Sequence, residues 1–169
     1  MDEKAPIARA TRLGLKLAAL AAPLAPLLTR LVIGQAFFFT GRGKLEHFDN
    51  TVHFFTDLGI PFPQLNAAFV SRLEFYGGIA LCVGLLTRIV AAGLASSMVV
   101  ALMTADKTHF LDALFLRGDA GLTDITSFVY LLFLVWLVLF GPGILSLDAL
   151  LCRALGIPTG EAKAAGEGA

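Results

Sequence analysis

Arg72-Leu73-Glu74-Phe75-Tyr76-Gly77-Gly78-Ile79-Ala80-Leu81-Cys82-Val83-Gly84-Leu85-Leu86-Thr87-Arg88 is apolar enough to sit in a lipid bilayer, yet it carries a carboxylate close to its first end. At helical spacing Val70, Glu74, Gly77, Leu81, Gly84 and Arg88 form one stripe. That stripe holds one acid, two glycine gaps where a neighbouring helix can approach, and a cation at the far end. An ionisable group in a lipid-spanning helix is unfavourable unless it faces the interior of a bundle. The spacing therefore predicts a membrane helix whose buried face is centred on Glu74.

Composition supports the same environment. Of 169 residues, 57 % are hydrophobic and 15 % charged, with a mean hydropathy of +0.79. Soluble domains run nearer ~45–50 % apolar and about 25 % charged. The 13 basic and 13 acidic residues cancel, so the chain lacks the basic stripe that nucleic-acid binding demands. Cys82 and Cys152 lie far apart, without metal-type or C-x-x-C spacing.

Read outward from Glu74, the chain divides into four apolar spans. Residues 1–23 put Arg9, Arg12 and Lys16 on one side of a helix and Leu13, Leu17 and Leu20 beside them. This predicts an amphipathic helix lying on the membrane surface. A cleaved leader ending near Ala19-Leu20-Ala21 is disfavoured, because Lys16 interrupts its apolar core. Pro23 and Pro26 mark a break before the first span, Leu24–Thr40. Arg30, Gly34, Phe37 and Gly41 share a face there, and Arg30 either snorkels to the near interface or finds a buried partner. Residues 41–68 read as an outer loop. Within it Phe48, Val52 and Phe55 predict a short interfacial helix anchored in lipid, stopped by Gly59, Pro61 and Pro63.

The second span covers Phe69–Leu86 and the third Ile89–Ala105, with Thr87 as the N-cap of the latter. Ala92 with Ser96, and Gly93 with Ser97, are small pairs four residues apart. They predict that spans two and three form the tightest helix pair. Residues 106–122 form a second outer loop, and Asp124 caps the fourth span, Thr123–Phe140. Gly141-Pro142-Gly143 ends it, Ser146-Leu147-Asp148 opens a short terminal helix, and the tail from Gly156 has a disordered composition. The spans are near the lower length limit for a ~30 Å hydrocarbon core. Seven Lys and Arg residues flank the spans on the N-terminal side and four on the other, which predicts both termini in the cytoplasm. The expected fold is thus an all-α, four-helix transmembrane bundle over residues 24–149. It follows an amphipathic segment, 1–23, and precedes a tail, 150–169.

The motifs resemble those of the DoxX family of small bacterial membrane proteins. They are Arg30-x3-Gly34, Gly41-x2-Lys44-Leu45, Gly59-Ile60-Pro61-x-Pro63, Glu74-x2-Gly77-Gly78 with Leu85-x-Thr87-Arg88, and Gly141-Pro142-Gly143-x2-Ser146-Leu147-Asp148. They run in order over residues 27–149. The resemblance implies a four-helix protein of the bacterial inner membrane. It also implies association with redox complexes: a thiosulfate:quinone oxidoreductase, or a thiol-redox and superoxide-detoxifying assembly.

Lys44 follows the end of the first span and Glu74 lies near the start of the second, so the two can pair at the outer side. Arg30 sits too deep on the inner side to reach Glu74. One reading makes Lys44 and Glu74 a site for a quinone head group or its proton, supported by Arg30, Gly41, Gly77 and Gly78. The other makes them a structural ion pair. A quinone site calls for a proton-active group beside an apolar slot open to lipid. Haem would need facing histidines within the membrane, whereas His47, His53 and His109 all fall in outer loops. No histidine pair has the i, i+4 spacing of a helical metal site. The expected function is a quinone-linked membrane subunit with a protein partner. A non-catalytic scaffold and, further off, a small-molecule permease are the alternatives; the latter lacks recognisable inverted repeats.

Overall fold

Pro23 stands ahead of helix α1, Leu24–Glu46, without ending the helical run before it. The computed structural model of the chain describes residues 14–117, 119 and 121–156. Residues 14–21 are helical, and together with α1 they form one apolar run, Gly14–Glu46. The break expected at Pro23 and Pro26 is therefore a single turn, because Pro23 keeps helical dihedrals and Ala25 N–H donates to Ala22 O. Residues 1–13 of the expected surface helix lie outside the described residues, as does the tail 157–169.

Helix α1 also continues past its expected end at Thr40. Gly41 to Glu46 are helical, so Lys44 stands on the last turn of α1 rather than in a loop. Helix α2, Phe48–Asp57, turns back at His47. The hydroxyl of Thr51 donates to Lys44 O and His47 O, pinning α2 to the end of α1. On α2 Phe54 is exposed while Phe55 is buried, so one of this aromatic pair faces outward and the other packs inward.

Helix α3, Pro63–Val83, has Pro at its first position, where the missing N–H is not needed. It starts earlier than the expected Phe69 and stops three residues short of Leu86. Gly84, at φ +75°, closes it in the left-handed conformation that glycine adopts freely. Helix α4, Thr87–Met103, then begins on a new axis. The stripe drawn from Val70 to Arg88 is therefore broken: Glu74, Gly77 and Leu81 share the buried face of α3, and Arg88 belongs to α4. Helix α5, Lys107–Leu114, is bent 83° from α4. A 3-10 turn, Leu122–Asp124, precedes helix α6, Thr126–Phe140. Asp124 accepts from Gly121 N–H and so caps the turn, one element before the helix it was expected to cap. Helix α7, Leu147–Ala154, starts at Ser146, whose hydroxyl accepts from Ala149 N–H as an N-cap.

The described residues contain helices and turns and no strand. Helix α1 lies along α3, and α4 lies along α6. Ile33, Phe37, Leu81, Leu94, Leu134 and Leu137 pack where the two pairs meet. The closest approach is between α1 and α3, not between α3 and α4 as the small-residue pattern predicts. A Cβ at Gly78 would lie 2.6 Å from Gly34 O, so the two backbones touch there. The small pairs of α4 make no such backbone contact: Ala92 and Ser96 are exposed, and Gly93 meets side-chain methyls of Leu73. By length and apolar content, one described run, Gly14–Glu46, suffices to cross a membrane; α4 with α5 makes a second if the bent pair counts as one.

Candidate functional site

Gly41 determines where α1 meets α3. A Cβ there would lie 2.7 Å from Phe75 Cα and 2.8 Å from the Glu74 carbonyl carbon. With no side chain at 41, α1 settles onto the backbone of α3 beside Glu74. Lys44, one turn on, then reaches across: its Nζ lies 2.5 Å from Glu74 Oε1. Glu74 is 1 % exposed and Lys44 32 %, so the lysine links the buried acid to the surface. Glu74 Oε2 has no hydrogen-bond partner among the described residues.

A cavity of about 220 Å³ lies against this pair, between α2, α3 and α4. Phe55, Leu58, Ile60, Val70, Leu73 and Met98 give it apolar walls, and Lys44 and Glu74 supply its charges. Ser96, Ser97 and Asn66 add polar groups. Both serine hydroxyls donate to carbonyls of their own helix, Gly93 O and Leu94 O, and keep lone pairs to accept with. Phe54, Phe69 and Val100, also on the wall, are exposed on the outside of the molecule.

Of the residues singled out in the sequence, Gly41, Lys44 and Glu74 meet here. Gly78 lies one turn beyond Glu74 and forms the other point of the crossing. Gly77 faces α4 instead, where an added Cβ would meet Val90 Cγ1 at 3.2 Å. The serines at 96 and 97 read as packing residues in the sequence and prove to be cavity wall. Ser71 is fully buried, and its hydroxyl has no partner among the described residues. Its signal was positional: it stands three residues before Glu74, on the same helix face.

Arg30 belongs to a second polar cluster about 20 Å further along α1, at ~1.5 Å per residue. It does not snorkel; it is fully buried. Its Nη2 donates to Leu145 O at 2.5 Å, and its guanidinium rests on Gly84. Asp148 accepts from the N–H groups of Leu86 and Thr87, at 2.7 and 2.9 Å, and its own N–H donates to Gly84 O. Asp148, rather than the expected Thr87, therefore caps α4; the Thr87 hydroxyl is buried without a partner among the described residues. This cluster ties the segment after α6 to the α3–α4 junction. Among the described residues Arg30 Nε and Nη1 are buried without hydrogen-bond partners.

The sequence profile of the DoxX family matches residues 25–107, a stretch that contains Arg30, Lys44, Glu74 and the whole α1–α3 crossing. A protein of Bacillus subtilis (strain 168) named "Putative oxidoreductase CatD" is 33 % identical over 125 residues, 72 % of this chain and 83 % of that protein. The chain belongs to the DoxX family. DoxX is a membrane family, in keeping with the long apolar run through α1. No solved structure matches the chain significantly. The DoxX profile ends at 107, so the second polar cluster draws Leu145 and Asp148 from beyond it.

Proposed function

We propose that this DoxX protein crosses the bacterial inner membrane four times, through α1, α3, α4 and α6, with both termini in the cytoplasm. We propose further that it serves as the membrane subunit of a redox complex, with a quinone head group bound between Lys44, Glu74 and the apolar wall beside them. The distribution of polarity supports the first part. Arg30, Ser71, Glu74 and Thr87 are buried, while Leu28, Val32, Tyr76, Val100, Leu132 and Phe133 are exposed. That inside-out pattern suits a chain surrounded by lipid. On this reading α5 and α2 lie across the outer face, and α7 lies on the inner side.

The observation that carries the second part is a carboxylate with one free oxygen, withdrawn from solvent, on the wall of a mostly apolar cavity. Its volume is below the ~300–1,000 Å³ of drug-sized sites, which suits a single ring whose tail stays in lipid. The exposed Phe54, Phe69 and Val100 give that tail an apolar path. Lys44 can donate a hydrogen bond to a ring carbonyl, and Glu74 can exchange a proton with a ring hydroxyl. Reduction of the ring to the quinol would take two electrons from the partner redox protein and two protons, passed in turn through Glu74, which Lys44 would connect to water for reprotonation. The oxidoreductase name of the Bacillus subtilis relative supports a redox setting. The permease alternative calls for a polar cavity, whereas this one is chiefly apolar.

The test is labelling of the purified protein in lipid nanodiscs with a photoreactive short-chain quinone. Labelled peptides should map to α3 and α4 around Glu74, Ser97 and Met98. Glu74→Gln should reduce labelling about ten- to a hundredfold, the equivalent of one charge-assisted hydrogen bond, with the protein still monodisperse. Loss of monodispersity together with labelling would make the Lys44–Glu74 pair a structural lock. Labelling spread over the lipid-facing surface would reject the site.

A further inference from the structure

Helix α1 has a second face that none of the described residues covers. Leu28, Val32, Gln35, Phe39, Arg42 and Glu46 recur at alternating steps of four and three residues, and all six are exposed. This is the spacing of a helix–helix seam. Gln35 is the middle residue of the 23-residue helix, about 16 Å from either end at ~1.5 Å per residue. Its amide makes no side-chain hydrogen bond among the described residues. Thr29 and Ser96, by contrast, are provided for locally: Thr29 donates to Ala25 O and Ser96 to Gly93 O. A primary amide exposed to hydrocarbon at mid-membrane is unfavourable unless a partner satisfies it.

We propose that two copies of this chain associate through that face, α1 against α1, about a two-fold axis along the bilayer normal. This rests on reading α1 as a bilayer crossing. Three features favour a second copy. The amide of Gln35 is self-complementary: the NH2 of each copy donates to the C=O of the other. Phe39 projects from the seam, 56 % exposed. Beside it is an open groove of about 460 Å³ lined by Phe38, Arg42, Leu45, Glu46 and Phe75. A two-fold places the knob of each copy at the groove of the other, as an isologous interface requires. Arg42 and Glu46 already pair at 2.7 Å within one chain. Each guanidinium has further donors, and the carboxylate of the second copy's Glu46 complements them.

The test uses the full chain in native membranes, with Cys82→Ala and Cys152→Ala removing the natural thiols. Val32→Cys and Phe39→Cys should each give a disulfide-linked dimer on mild oxidation, and Leu132→Cys, on exposed α6, should not. Adding Gln35→Leu to Val32→Cys should lower dimer yield, with the apparent dimerisation constant weakened about tenfold as two interhelical hydrogen bonds are lost. Gln35→Asn should retain more of it. An unchanged thermal midpoint of detergent-solubilised Gln35→Leu separates association from folding. A monomer at every lipid ratio, equal cross-linking at 132, or an indifferent Gln35→Leu would each overturn the proposal. Alkaline extraction tests the membrane reading by itself. A chain that washes off the membrane overturns both readings, and one that stays without cross-linking overturns the dimer alone.

Discussion

Arg30 and Glu74 are the charged side chains that lie fully inside the described molecule, and each depends on a group brought from a distance in sequence. Glu74 was legible because an acid in an apolar run has few places to go. Its partner Lys44 was legible by depth, and Gly41 as a gap on the adjoining helix. The free Glu74 oxygen and the cavity beside it were not, since both depend on how α2 and α4 close around α3. Asp148 was harder still to read. It opens α7, as expected, but its carboxylate caps a helix start more than 60 residues earlier in the chain. Sequence spacing contains no trace of such a pairing. Asp148→Ala should leave the N–H groups of Leu86 and Thr87 without acceptors and lower stability by about 0.5–2 kcal/mol, as for the loss of a helix cap. Hydrogen exchange at those two amides should rise well above that at mid-α4; unchanged protection there would mean that water or another group serves as the cap.

At the level of helices, the pattern of small residues pointed to α3 with α4, and the structure pairs α3 with α1. Both helices of the expected pair contain small residues, so composition alone could not rank them. What decides is which glycines face a backbone and which face flexible side chains. Gly78 meets Phe38 N and Gly34 O, neither of which can move without shifting α1. Gly77 meets Val90 and Leu94 side-chain ends, which can. Gly78→Leu should therefore separate α1 from α3 and destabilise by about 1–3 kcal/mol or more, as an overpacked core does. Gly77→Ala should cost about 1 kcal/mol or less. Thermal unfolding in one detergent gives the comparison, and equal effects at the two positions would contradict this packing. The helix ends were misplaced for a related reason. Residues 41–68 read as a loop, but α1 uses Gly41 as a contact surface while staying helical to Glu46.

For the molecule as a whole, composition set the class, and motif order set the family. The arrangement in the bilayer is open to direct labelling. With Cys82→Ala as background, Cys152 should resist a membrane-impermeant maleimide in intact spheroplasts and react after lysis. Asn50→Cys, on exposed α2, should react from outside before lysis. Labelling of both from one side would reject the odd number of crossings, α3, α4 and α6, proposed between them. The cap supplied by Asp148 also bears on biosynthesis. On a ribosome, α3 and α4 emerge long before the residue that finishes their junction. Until that residue is translated, the Leu86 and Thr87 amides must borrow water or lipid head groups. The nascent α3–α4 corner would thus stay pliable while about 60 further residues are added and set only when α7 arrives.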